Sequence, residues 1–362
     1  MKYQVVLVVH DPSDSFSHPA ALAETLSSVE GLYGDFELVV SVNRSPHCPR
    51  TSEFVSQWCV SRAWARCLLH EELHGTSASF NSGLAPLADD IDAVVLMSAD
   101  ALLIDHSLLL ALTDAFDRWP SVGLVHPVSV FEDADMANFS DEWSAAEFVT
   151  LFTSLTPQSD PMALDRELTA RGERLAHECS SRAPGISGPR AVLPLTFLAM
   201  RTTTLSAVGL LDERWSAGYE NLDLSLRAYQ AGFTSVVVRN AFVMHRRMLF
   251  RSLGSYGPAP SGMGSLSGRQ AWHDKWGADP RTAWYTLRFG PTRGRLLLAA
   301  LNAGESNRVL ASGIRSVRAG SLRHLGSAVT GMARTLMPKP LRKASRSRVA
   351  DPDRVSDRRS TR

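Results

Sequence analysis

The chain has 362 residues, 44% of them hydrophobic and 21% charged, which suits a real core and either one large domain with an extension or two domains. Its net charge of +1 hides a division: residues 281–362 hold 18 Lys and Arg against 4 Asp and Glu, leaving 20 of the chain's 38 basic and 33 of its 37 acidic residues to residues 1–280, so the two parts carry about +14 and −13. An acidic body of this kind makes a poor general nucleic-acid binder. No apolar run approaches the roughly 18 residues that would span a bilayer. The cysteines, Cys48, Cys59, Cys67 and Cys179, form no CxxC pair and no metal-type spacing, and read as reduced thiols of a cytoplasmic protein.

The opening MKYQVVLVVHDP has one Lys and a short apolar run broken by His10 and Asp11, so it reads as a first strand and not as a signal peptide. Tyr3–Val9 is continuously apolar, as a strand buried on both faces must be. A helix is predicted over Pro19–Val29, a strand over Phe36–Val42, a helix over Glu53–Ala63 and a short strand over Cys67–His70. Gly75 opens a loop running into a helix through Leu87. Ala93–Met97 is a strand ending in Ser98-Ala99-Asp100, His106–Phe116 a helix, and Gly123–Pro127 a further strand. This alternation predicts a mostly parallel, doubly wound α/β sheet. Such sheets bind ligands outside the carboxyl ends of their strands, where Val9, His10, Asn43 and Asp100 fall.

Residues 130–190 are rich in Asp, Glu, Ser and aromatics, and read as a helical insertion shaping a second pocket. Helices are expected around Asp141–Thr153 and Pro161–Glu178, with a loop over Ser180–Arg190. Pro194–Arg201 returns as a strand and Thr203–Val208 as a short helix. Tyr219–Phe233 is a helix with Glu220 and Asp223 in its first turn and Gly232 as its stop. A strand over Ser235–Val238, then His245, and a helix over Ser267–Trp276 complete the body, taken as residues 1–280. In residues 281–337 a basic amphipathic stretch, Arg308–Met337, either packs on the body or lies on an anionic membrane surface, which would make the protein peripheral to the inner face of the membrane. Residues 338–362 are basic, Ser-rich and poor in apolar residues, the composition of a disordered tail.

Four signals fall in a fixed order: the buried first strand; Gly75, Asn81 and Gly83 in GTSASFNSGL; the strand ending in Ser98-Ala99-Asp100; and LLDERWSAGYENLDLSLRAYQAG followed by His245. In this order and spacing the sequence resembles the family 2 glycosyltransferases of the GT-A fold, with rhamnosyl- and galactofuranosyl-type transferases among them. The resemblance covers roughly residues 3–277 and extends to RQAWHDKWG, Arg269 to Gly277. It implies a GT-A fold and transfer of a sugar from a nucleotide-diphosphate donor to a glycan or lipid-linked glycan acceptor. The donor side would hold Val9, His10, Asn43, Gly75, Asn81, Ser98 and Asp100. A divalent cation, Mg2+ or Mn2+, would be held by Asp100 and His245, since a carboxylate is a hard oxygen ligand and the departing diphosphate carries charge to be offset. Glu220 and Asp223 supply the acceptor-side carboxylates, one of them the base that takes the acceptor hydroxyl proton. Trp215 stands before them as either a stacking platform for an acceptor sugar or a core tryptophan.

Three positions depart from the family pattern. The usual Asp-x-Asp is Ser98-Ala99-Asp100; the second strand ends in Val42-Asn43-Arg44-Ser45 instead of an acidic turn; and the usual Glu-Asp-x-Asp is Glu220-Asn221-Leu222-Asp223. An amide at Asn221 cannot serve as base. Either Glu220 or Asp223 takes that part in an inverting transfer, or the transfer is retaining, as in the polypeptide N-acetylgalactosaminyltransferases that the ENLD segment also resembles. A degenerate domain that binds sugars without turnover is the third reading.

Overall fold

The computed structural model describes residues 1–10, 17–43, 45–85, 87–130, 161–187, 192–215, 218–246, 266–277 and 280. The chain divides into two compact units, 1–288 and 289–362. The second unit lies outside the described residues, as do the expected helix over Asp141–Thr153, the amphipathic stretch Arg308–Met337 and the basic tail.

The first unit alternates strand and helix from its start. β1 (Lys2–His10), α1 (Ser17–Glu30), β2 (Asp35–Asn43), α2 (Pro49–Val60), β3 (Ala65–Leu69), α3 (Thr76–Leu84) and β4 (Ala93–Ser98) form its first half. Then come β5 (Ala101–Leu102), α4 (Leu108–Arg118), β6 (Val122–Val130), α5 (Pro161–Ser180), β7 (Ile186–Ser187), β8 (Phe197–Arg201), α6 (Thr202–Val208), α7 (Glu220–Gln230), β9 (Thr234–His245) and α8 (Leu266–Trp276). Among the described residues one sheet runs in the order β3-β2-β1-β4-β8-β6-β9-β5, with β7 added on β9. Strands β3, β2, β1 and β4 are mutually parallel, as are β6 and β9; β8 lies antiparallel between β4 and β6. The sheet is the predicted α/β type, mostly parallel, with one inverted central strand.

Side-chain alternation divides the core in two. Tyr3, Val5, Leu7 and Val9 of β1 point to one face with Leu38, Val40, Val95 and Met97, under α1, α2 and α4. Val6 joins Val94, Leu96, Leu198 and Met200 on the other, under α3 and α7. Strands covered on both faces must be apolar at every position, which is why β1 and β4 read as unbroken runs.

β9 is longer than the expected Ser235–Val238. It follows β6 in parallel from Val122↔Thr234 to Pro127↔Val238, slips past Arg239, Asn240 and Ala241, and resumes at Val128↔Phe242. That bulge interrupts the apolar pattern exactly once, so sequence periodicity sees only the first half. The second half is extended by antiparallel pairing with β5, Ala101↔His245 and Leu102↔Met244. No helix among the described residues is long and apolar enough to cross a membrane.

α3 lies close on β1. A methyl group placed on Gly83 would stand 2.3 Å from Val6 Cγ1, and Gln4 Nε2 donates to the Gly83 carbonyl at 2.8 Å. Gly83 is therefore a close-approach glycine, and overpacking in such a contact costs about 1–3 kcal/mol. Gly83→Ala is expected to lower unfolding stability by about 2 kcal/mol, read from the urea midpoint. An unchanged midpoint would show that α3 shifts without cost.

Candidate active site

The β5–β9 register determines the centre of the site. Because Ala101 pairs with His245, the preceding residue, Asp100, is carried to the end of β9. Asp100 Oδ2 and His245 Nε2 lie 2.9 Å apart. The Ser98 hydroxyl donates to Asp100 Oδ1. Asp100 is 3% exposed. Ser98 therefore does not act as a missing carboxylate; it orients the one that remains. Oxygen and imidazole donors this close converge on a single point and suit a hard or borderline divalent cation. Among the described residues no group of three or more His, Cys, Asp or Glu side chains could hold a metal unaided. Two protein ligands fit a cation that completes its shell with substrate phosphate and water.

The other sequence-predicted donor-side residues divide by what they touch. Val9 is buried in the first core and His10 ends β1 opposite Asn43. Asn43 Oδ1 accepts from the His74 backbone N–H at 2.7 Å, and its Nδ2 donates to the His74 carbonyl at 2.5 Å. Both amide atoms thus clamp the loop before α3, so Asn43 is committed to the scaffold. That clamp sets His74 against His70, with ring centroids 4.6 Å apart. His70 Nε2 in turn lies 2.9 Å from Ser41 Oγ and 3.1 Å from Ser82 Oγ. Burial, then the neighbouring His74, lowers the His70 pKa below its ordinary value.

Gly75 caps α3 in extended conformation. Asn81, two residues before Gly83, reaches across the fold: its Oδ1 accepts the Leu211 N–H at 2.9 Å, and Nδ2 donates to the Leu211 carbonyl at 2.8 Å and to Glu213 Oε1 at 3.0 Å. The glycine and asparagine spacing that pointed to a ligand loop is thus accounted for by packing and a cross-brace.

The two carboxylates expected on the acceptor side have opposite environments. Asp223 is 0% exposed. Arg227 Nε donates to its Oδ2 at 2.9 Å. Lys275 Nζ and Trp276 Nε1 approach its Oδ1 at 2.6 and 3.0 Å. Arg227 also caps the carboxyl end of α6 through the Val208 and Gly209 carbonyls, and Lys275 reaches Asp212 Oδ2 at 2.6 Å. Burial alone would raise the Asp212 pKa, but Arg214 and Lys275 outweigh it and hold the carboxylate well below its usual range. Asp223 is therefore the hub that joins α6, α7 and α8, and the expectation that it acts as base does not fit a carboxylate saturated by two cations and an indole.

Glu220 is different. Its Oε2 is shut off from water and has no hydrogen-bond partner among the described residues. Desolvation pushes its carboxyl up to about 7, partly opposed by the backbone N–H groups of Glu220 and Gly218. The amino end of a helix favours the ionised form by only about 0.3–1 kcal/mol, less than one pKa unit, so burial wins. Glu220 enters α7 directly after Tyr219, the one non-glycine with positive φ among the described residues, at 72°. Backbone strain of this kind costs about 1–3 kcal/mol and is held by its surroundings. Here the Tyr219 ring packs against Trp215 at 5.9 Å and Trp272 at 5.5 Å.

Trp215 itself is 1% exposed within this aromatic cluster. The stacking-platform expectation does not fit this placement; the ring packs against Tyr219 and Trp272. Sequence reading passed over Thr25 and Arg246, both buried beside the Asp100 turn. Arg246 follows His245 directly, but nothing in the pattern of α1 marks Thr25.

No model of a protein family matches the chain, and no curated protein matches it. Among solved structures it is similar to the mannosyltransferase PcManGT from Pyrobaculum calidifontis in complex with GDP-Man and Mn2+, at 16% identity over 95% of this chain and 83% of that one, with a TM-score of 0.42. It is also similar to GalNAc-T7 solved with UDP, GalNAc and Mn2+, at 15% identity and a TM-score of 0.50. That alignment covers 84% of this chain and 52% of the other, so the chain spans about half the length of GalNAc-T7. This likeness shows the fold, which is that of the GT-A glycosyltransferases.

Two stability experiments separate the carboxylates. Removing a partner of a buried ion costs about 3–5 kcal/mol, and Lys275→Met is expected to fall at the low end of that range because Arg227 still faces Asp223. For Glu220 the folded pKa lies above the ordinary value of 4.5, so its proton-linked stability is complete below about pH 4.5 and is lost as pH rises through about 7. Glu220→Gln should therefore raise Tm at pH 8.5 and change it little at pH 5. Equal shifts at both pH values would show that the carboxyl is not desolvated.

Proposed function

We propose that the chain is a nucleotide-sugar glycosyltransferase related to family 2, transferring a glycosyl group from a nucleoside-diphosphate donor to a glycan or lipid-linked glycan with inversion. The observation that carries the reading is the Asp100–His245 pair at 2.9 Å, outside the carboxyl ends of the central strands of a GT-A fold. Asp100 and His245 would hold Mg2+ or Mn2+, whose charge offsets that building on the departing diphosphate. Ser98 keeps the Asp100 carboxylate turned toward His245. Glu220 is the base: a desolvated carboxyl titrating near 7 takes a hydroxyl proton more readily than an ordinary carboxylate. Tyr219, Trp215 and Trp272 exclude water behind it. Asp223, Lys275 and Arg227 fix the helix that presents it.

A retaining transfer is the second reading, favoured by Asn221 in the position where the family pattern has its base. Such a transfer would not draw on Glu220 for deprotonation. The basic residues 281–362, outside the described structure, are proposed to meet anionic lipid near a lipid-linked acceptor.

Calorimetry with UDP, GDP and dTDP, each with and without Mn2+, tests the donor side. One nucleoside diphosphate is expected to bind, and Asp100→Asn to weaken binding only when metal is present. Failure of all three to bind, together with no hydrolysis of any nucleotide sugar, would sink the reading. On the acceptor side, kcat/KM should rise with pH through about 7, the ionised base being the active form. Glu220→Gln is expected to remove that limb and lower kcat by about 10²–10⁴-fold. An α-product from an α-donor with full activity in Glu220→Gln would establish the retaining reading instead.

A further inference from the structure

Ser98-Ala99-Asp100 is pinned at four of its main-chain polar groups. The Ser98 N–H donates to the Thr196 carbonyl at 3.3 Å and the Ala99 N–H to the Val8 carbonyl at 3.2 Å, while the Asp100 carbonyl accepts from the Arg246 N–H at 2.6 Å. The Ala99 carbonyl accepts from Thr25 Oγ1 at 2.9 Å. That hydroxyl in turn accepts from Arg246 Nη2 at 2.9 Å, and the same nitrogen donates to the Ala21 carbonyl at 2.8 Å. Thr25 also lies 3.5 Å from the Ala21 carbonyl, the longer of its two acceptor contacts, so its single proton goes to Ala99.

We propose that Thr25 and Arg246 are positioning residues that hold Asp100 against His245, with α1 serving as the template for the metal-ligand pair. Arg246 is 0% exposed and its charge faces Glu24 Oε2 at 2.5 Å, a carboxylate that is itself 51% exposed. For a buried guanidinium, apolar replacement is often neutral or stabilising. Its geometry has a consequence instead. Backbone N–H and side chain of one residue grip the turn from both sides, directly at Asp100 and through Thr25 at Ala99. Arg246 is also the residue after His245, so one segment supplies a ligand and fixes its counterpart. Groups behind metal ligands typically alter affinity by about 10–100-fold.

The inference rests on reading Asp100 and His245 as the donor-side pair, and its test has a readout that does not. Thr25→Val keeps the side-chain shape and loses the hydroxyl, whereas Thr25→Ser keeps the hydroxyl. In the metal-free protein at fixed pH, the 15N shift of His245 Nε2, assigned with His245→Gln, reports the Asp100 contact. It is expected to move in Thr25→Val and to stay in Thr25→Ser, both folded by circular dichroism. In the same proteins Mn2+ affinity, followed by electron paramagnetic resonance of the free ion, should weaken about tenfold in Thr25→Val and recover in Thr25→Ser. An unchanged His245 signal in folded Thr25→Val overturns the positioning role, whatever the metal does. Wild-type protein that ignores Mn2+ while the His245 signal responds to Thr25→Val overturns the functional reading and leaves the positioning role standing. Should Thr25→Val fail to fold, Arg246→Lys replaces it, and the same unchanged signal overturns the proposal.

Discussion

A two-residue antiparallel register, Ala101 with His245 and Leu102 with Met244, is the constraint on which the site depends. It brings together two chain segments 145 residues apart. Without it the Asp100 turn would be an ordinary strand end and His245 an ordinary residue leaving a sheet. The register is possible because β9 slips past three residues against β6 and then continues in line. Had β9 ended at the slip, no strand would have been left for β5 to pair with.

Around that centre, the residues that look most chemical in the sequence divide into scaffold and site. Asn43, Asn81 and Asp223 each carry polar groups suited to a ligand, yet each has them consumed by other parts of the chain. The physical reason is shared: a buried amide or carboxylate is costly unless saturated, and long-range saturation is an efficient way to fix loops beside a sheet. Their occurrence in a fixed order reflects a common architecture as much as a common chemistry. Lys275 contacts both Asp212 and Asp223 and so ties the LDE, ENLD and KWG segments of this chain together.

Glu220 stands apart because desolvation outweighs the backbone N–H groups of Glu220 and Gly218 that face it. Its Oε2 has no partner among the described residues, and it follows directly on Tyr219, whose positive φ is held by its surroundings. Its neighbour Asp223, three residues on and in the same helical turn, is fully compensated. Two carboxyls in one motif thus meet opposite surroundings, one bonded to Arg227, Lys275 and Trp276 and the other desolvated.

The sequence alone determined the fold class, since both-face burial forces unbroken apolar strands and the helices between them follow a different period. Its motif order also raised the expectation that Glu220, Asp223, Asp100 and His245 share a site. It did not determine which of them face a ligand. Thr25 and Arg246 left no periodic trace, for a single hydroxyl in a helix and a single arginine after a strand are common. The bulge in β9 was invisible, because polar residues inside a strand look like its end. Which carboxyl is bonded to other parts of the chain and which is desolvated depends on groups from α7 and α8. Hydrogen bonding and desolvation act through space, and only the tertiary structure decides what each carboxylate meets.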